Sequence, residues 1–291
     1  MSRSANVKLD RRLHAFRDDL ADILLKDRVD AKRYVKGEPA TISAPVADLR
    51  SAPDAGSGLD AQALFGEMVQ VFEDRDGWAW VQRNQDDYVG YTHAGNLSAP
   101  SDKPTHCVAV PRTFVYSAVD LKSPMRHPLS MGSRLRIVDA QTVRGTNYLI
   151  ADDGSAVIAR HVCSIEAPQQ DYVSVAESLL GTPYLWGGNS AFGIDCSGLV
   201  GLAMMMCGKL VLRDTDMMVT TCGEEIEPGD DFEHLKRGDL VFWKGHVGIM
   251  TDPSMLLHAN GHTMDVAREP LAEAMARIGY LYGQPTCVRR P

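Results

Sequence analysis

Tyr184-Leu185-Trp186-Gly187-Gly188-Asn189-Ser190-Ala191-Phe192-Gly193-Ile194-Asp195-Cys196-Ser197-Gly198-Leu199-Val200 places one cysteine where a glycine-rich loop meets the start of a helix. Beyond Cys196, the residues Leu199, Val200, Leu202, Ala203 and Met206 recur at helical spacing. Asp195 is of a type that caps a helix N-terminus. A thiol at that position meets unpaired backbone N–H groups and the positive end of the helix dipole, and both favour thiolate. Cys196 is therefore a candidate nucleophile. The alternative at this point is a packing thiol, the role that the apolar stripe around Cys207 suggests.

Working outward, Leu240-Val241-Phe242-Trp243, His246-Val247-Gly248-Ile249-Met250 and Met255-Leu256-Leu257-His258-Ala259 read as three strands, with Thr251-Asp252-Pro253-Ser254 as a turn cluster. His246 and His258 are equidistant from Asp252. A hairpin centred there sets them opposite each other on one sheet face, and a one-residue slip would separate them. A thiol at a helix start with two imidazoles on one face suits nucleophilic catalysis: one imidazole activates the thiol and the other orients it.

Five blocks in order carry a resemblance: Pro183-Tyr184-Leu185-Trp186-Gly187-Gly188, Asp195-Cys196-Ser197-Gly198, Gly238-Asp239-Leu240-Val241-Phe242, His246-Val247-Gly248-Ile249 and His258-Ala259. Residues 168–291 resemble the NlpC-type cell-wall peptidases, a papain-like cysteine peptidase family. The resemblance implies an α+β catalytic domain with Cys196 as nucleophile, His246 as general base and His258 as the orienting third member. It implies substrate contacts from Tyr184, Asp195, Ser197, Asp214 and Thr215. In members cutting small murein peptides, a Glu and a Tyr from a neighbouring barrel bind the free amine of the terminal L-Ala. Glu67 and Tyr91 match them best here, with Tyr88 as the alternative. The substrate so implied is L-Ala-γ-D-Glu-diamino acid, cut after the D-Glu. An amidase or acyltransferase on the same fold, or a catalytically idle wall-binding protein, are the alternative readings.

The 291 residues have room for about two or three domains. Residues 39–99 hold short alternating strands with turn signals such as Asp76-Gly77, and resemble a bacterial SH3-like barrel. Residues 104–166 read as a second, weaker copy. Residues 1–38 read as a segment whose Arg17–Leu25 stretch forms a short helix packing on the barrels. The expected architecture is thus a papain-like α+β domain behind two small β-barrels.

The net charge of −8 argues against nonspecific nucleic-acid binding. The six cysteines lack CxxC spacing, and free thiols in a reducing compartment are expected. The polar N-terminus has no apolar signal core, so a cytoplasmic protein without membrane attachment is expected. No cofactor or metal is called for. His258 and His262 have HxxxH spacing, but Asn260-Gly261 breaks the helix that would bring them together.

Overall fold

In the computed structural model, which describes residues 9–291, the short apolar runs of the C-terminal third build a six-stranded antiparallel sheet. Its order is Glu224–Glu225, Cys287–Arg290, Leu240–Trp243, His246–Met250, Met255–Asn260 and Asp265–Pro270. The sheet is covered on both faces, which explains its nearly continuous apolar strands. Phe242, Val247, Ile249, Leu257 and Ala259 pack against α1 (Tyr172–Glu177) and α2 (Cys196–Met206). Val241, Trp243, Met250 and Leu256 point the other way, against Leu271, Ala274 and Ile278 of α4 (Leu271–Tyr282). Between them in sequence lies the short α3 (Thr215–Thr221). Burying α2 on nearly all sides requires its uniformly apolar composition: Leu199, Val200, Leu202, Ala203 and Met204 are all essentially inaccessible.

Residues 38–98 form a seven-stranded antiparallel sheet. Its order is Leu59–Leu64, Val46–Arg50, Val89–His93, Trp78–Arg83, Met68–Arg75, Glu38–Ile42 and Leu97–Ser98. Irregularities at Leu49/Arg50 and Val71/Glu73 bend the strands around a core of Ile42, Leu49, Ala61, Val69 and Val81. The ladder does not close on itself, contrary to the barrel expected from the sequence. The edge strand Leu59–Leu64 is occupied by the catalytic loop instead. The Asn189 amide donates to Gln62 Oε1 at 3.0 Å. Gly187, at φ +74°, lies so close that a Cβ there would meet the Leu59 carbonyl oxygen at 2.6 Å. Docking of another domain thus protects an edge that would otherwise be exposed.

Residues 106–164 form a three-stranded sheet (Arg134–Leu135, His106–Val108, Val162–Ser164) and a five-stranded one (Met125–Ser130, Arg112–Tyr116, Ala156–Ile158, Thr146–Ala151, Ile137–Val143). Val108, Val115, Leu129, Leu135 and Val157 form the core between them.

The N-terminal segment departs from its sequence reading. The stretch expected to be helical makes a two-residue strand, Ala21–Asp22, paired with Tyr34–Val35, then one 3₁₀ turn, Ile23–Leu25. The reason lies in its burial pattern: Leu20 and Ala21 are adjacent in sequence and both fully buried, whereas Leu24 is exposed. The segment does pack on the first module, through Ala15 and Leu20 against Phe72 and Trp80. The Arg17 guanidinium lies 4.4 Å from the Trp80 ring centre. Among the described residues, no helix is long and apolar enough to cross a membrane.

Candidate active site

The loop before α2 is held by one buried carboxylate. Asp195 Oδ1 accepts from the Gly198 amide at 2.7 Å, capping α2, and Oδ2 accepts from the Gly187 amide at 2.9 Å. Arg213 completes the knot, donating to Asp195 Oδ2 at 2.7 Å and to Ser197 Oγ at 2.6 Å. Asp195, Ser197 and Arg213 are all buried. The first two border the cavity described below, but their polar atoms are engaged in fixing the loop and the helix start.

Cys196 opens α2. Its sulfur lies against the backbone amide of Val247, the residue after His246. Burial, followed by the nearby Asp195 charge, pushes the thiol up to about 12, against the lowering influence of the Val247 amide and Arg213. The helix start was expected to favour thiolate; here burial outweighs it. Burial, with His258 and Arg277 nearby, likewise takes His246 down to about 3. At rest the thiol is therefore protonated and the His246 imidazole neutral.

His246 Nε2 and His258 Nδ1 are 2.8 Å apart, and His258 is wholly buried. Their register differs from the sequence reading. The strands pair Ile249 with Leu257 and Met250 with Leu256, which sets Gly248, not His246, in line with His258. The slip is of two residues, and side chains alternate with a period of two, so both imidazoles still share a face. His258 Nε2 contacts Glu269 Oε1 at 2.7 Å, and Arg277 of α4 donates to the same oxygen.

A cavity of about 590 Å³ opens on Cys196. Tyr184, Trp186, Asp214 and Thr215 of the catalytic domain line it, as do Asp60, Tyr88 and Tyr91 of the first module and Arg11, Arg12 and Arg17 of the N-terminal segment. Asp214 precedes α3 without capping it. Its Oδ2 instead accepts from Tyr88 at 3.2 Å and from Arg12 at 2.7 Å. Arg12 also holds Asp10 and Asp216, so three chain regions meet there. Burial raises Asp214, against the Arg213 and Arg12 charges; burial and the Asp214 charge raise Asp60. Asp60 is thus the carboxylate that the Asp214 charge repels, whereas Asp214 is already paired with Arg12.

Of the sequence candidates, Cys196, Tyr184, Asp195, Ser197, Asp214, Thr215 and Tyr91 border this cavity, and His246 and His258 lie outside its lining. Glu67 does not line the cavity. It is buried and paired with Arg83 at 3.1 Å. It sits in the turn between the strands Leu59–Leu64 and Met68–Arg75, where its side chain is turned inward, and Asp60 lines the cavity. Tyr91 does border the cavity, where its hydroxyl accepts from Arg17 at 2.7 Å, but Tyr88 is the tyrosine bonded to Asp214. Asp60, Arg12 and Glu269 were missed from sequence. The alternation Leu59-Asp60-Ala61-Gln62-Ala63 carries a strand signal that could have placed Asp60. Arg12 and Glu269 carry no local signal at all. Among the described residues, no group of three or more His, Cys, Asp or Glu side chains is placed to hold a metal ion.

A thiol at a helix start, its sulfur against the amide that follows one of two hydrogen-bonded imidazoles, is the arrangement of a cysteine peptidase. Residues 181–281 match the NlpC/P60 family, and residues 49–97 match the bacterial dipeptidyl-peptidase Sh3 domain. The chain is a cysteine peptidase whose catalytic domain belongs to the NlpC/P60 family, preceded by an SH3-like domain. It is 28% identical over 274 residues to dipeptidyl-peptidase 6 of Lysinibacillus sphaericus, covering 84% of this chain and 99% of the relative. It is 26% identical over 232 residues to the gamma-D-glutamyl-L-lysine dipeptidyl-peptidase of Bacillus cereus, covering 69% and 67%. The fold is shared with the crystal structure of an NlpC/P60 family protein from Bacillus cereus. That match has a TM-score of 0.73 at 22% identity, over 87% of this chain and 99% of that one.

Proposed function

We propose that this enzyme hydrolyses the γ-D-glutamyl–diamino acid bond of free murein peptides, L-Ala-γ-D-Glu-diamino acid. The observation that carries the reading is the placement of Asp60, Tyr88 and Asp214 in the cavity that opens on Cys196. An L-Ala ammonium bound there would offset the Asp214 charge felt by Asp60, and a blocked amine would leave Asp60 without that cation. Relatives named as gamma-D-glutamyl-L-lysine dipeptidyl-peptidases support the bond assignment.

In this mechanism His246 takes the Cys196 proton as sulfur attacks the γ-carbonyl carbon, since neither group is charged at rest. The oxyanion meets the backbone N–H of Cys196, whose position at the helix start leaves it without an intrahelical partner. His246 then gives the proton to the departing amine, and the thioester forms. Water, deprotonated by the same imidazole, releases the dipeptide and restores the thiol. His258 orients His246 throughout. Tyr184 and Thr215 flank the bound peptide, while Asp195 and Ser197 act by holding the loop.

The second module, residues 104–166, is in this reading another SH3-like unit serving as scaffold. A recycling role in the cytoplasm follows from a preference for small peptides with free amines over the intact wall. The test is mass spectrometry of products from L-Ala-γ-D-Glu-diaminopimelate and its lysine counterpart, each with free and N-acetylated L-Ala. Release of L-Ala-γ-D-Glu from the free forms alone is expected. Equal cleavage of acetylated peptide, or digestion of intact sacculi, would overturn the proposal. Transfer of the dipeptide to a second amine would identify an acyltransferase.

A further inference from the structure

We infer that Glu269 is a positioning residue of the catalytic machinery, setting the proton positions on both imidazoles through the continuous contact His246–His258–Glu269–Arg277. The inference rests on the reading of His246 as base and His258 as its orienting partner. Each step follows from hydrogen-bond capacity. An ionised carboxylate can only accept, and a neutral imidazole has one donor and one acceptor nitrogen. Glu269 Oε1 lies 2.7 Å from His258 Nε2, so that nitrogen carries the proton. His258 Nδ1 is then an acceptor. It lies 2.8 Å from His246 Nε2, which must donate. His246 Nδ1 is left with a lone pair, the state a general base requires.

The placement makes this assignment specific. His258 is wholly buried, so water cannot supply a substitute donor or acceptor. Glu269 lies on the strand next to His258: Ala267 pairs with His258, and Glu269 is two residues on, on the same face. Arg277 reaches it from α4 and fixes its orientation. The hydrogen bond from His258, with the Arg277 charge, holds the Glu269 carboxyl below its ordinary range. An amide in its place would have an N–H₂ able to donate to His258 Nε2. That would permit the reversed tautomers and put a proton on His246 Nδ1, where the base needs a lone pair. A comparable amide replacement behind a catalytic histidine costs on the order of ten-thousand-fold in kcat.

The experiment is long-range ¹⁵N–¹H NMR of the histidine rings, combined with tripeptide kinetics. In the wild-type enzyme, both His246 and His258 should carry the proton on Nε2. A proton on His258 Nδ1 overturns the proposal whatever the substrate proves to be. Glu269→Gln should lower kcat at least ten-fold with little change in KM, and should shift the ring nitrogens toward the other tautomer. Glu269→Asp should restore the wild-type pattern in part. Unchanged ring signals and kcat in Glu269→Gln would also overturn it. Should that variant fail to fold, the wild-type spectrum alone decides. Wild-type Nε2 protonation with no tripeptide cleavage would support the relay and reject the substrate.

Discussion

Tyr88 donates a 3.2 Å hydrogen bond to Asp214 across the seam between the SH3-like domain and the catalytic domain. The bond joins residues 126 positions apart and lies in the cavity that opens on Cys196. Removing it leaves a partly buried carboxylate short of a donor. Hydrogen bonds to charged groups contribute about 1.5–3 kcal/mol. Tyr88→Phe should therefore raise KM for the free tripeptide by roughly ten-fold or more, with kcat changed far less. Steady-state kinetics checks this; an unchanged KM would remove Tyr88 from recognition.

Asp60 and Glu67 should separate cleanly. Glu67→Ala leaves Arg83 fully buried with only Asp86 as partner, at 3.2 Å. Breaking a buried pair costs about 3–5 kcal/mol, so a large drop in melting temperature is expected, with the free-amine preference intact. Asp60→Asn should do the reverse, keeping stability and losing discrimination against the acetylated peptide. Denaturation curves beside substrate competition decide between them.

Hydrolysis should depend wholly on Cys196. Cys196→Ala is expected to abolish turnover while shifting the melting temperature by no more than a few degrees. His258→Gln should retain measurable activity, because the amide oxygen can still accept from His246 Nε2. Residual turnover above a tenth in the alanine variant would exclude Cys196 as nucleophile.

The pH profile carries a sign that can be checked. His246 works as base only when neutral, and its proton is lost at about pH 3, well below the ordinary histidine value. The acidic limb of kcat/KM should therefore fall below pH 6. Because Cys196 sits near 12, its alkylation in the free enzyme should keep accelerating through pH 9, without the low-pH plateau of a resting thiolate. A plateau beginning near pH 5 would show a preformed ion pair.

Gly187→Ala should loosen the domain seam. The added methyl would meet the Leu59 carbonyl oxygen at 2.6 Å, and the left-handed backbone there disfavours any side chain. A loss of about 1–3 kcal/mol is expected, with a rise in KM as Asp60 moves away from the cavity. Wild-type stability in this variant would show the seam to be slack.

Local signals determined the chemistry of this protein. The glycine loop, the Asp195 cap and the apolar run after it specify a cysteine at a helix start from a dozen neighbouring residues. Short apolar runs around the turn cluster at Asp252 likewise specified the strands bearing His246 and His258, and their shared face survived a two-residue error in register because parity alone decides it. What the tertiary structure decided were relationships between distant segments. Arg12 reaches Asp214 over 202 positions. Asp60 faces the cavity while Glu67, seven residues on, is buried against Arg83. Burial rather than the helix dipole governs the Cys196 proton. Each depends on which surfaces pack together, and packing pairs residues by shape and desolvation, which no short window of sequence records.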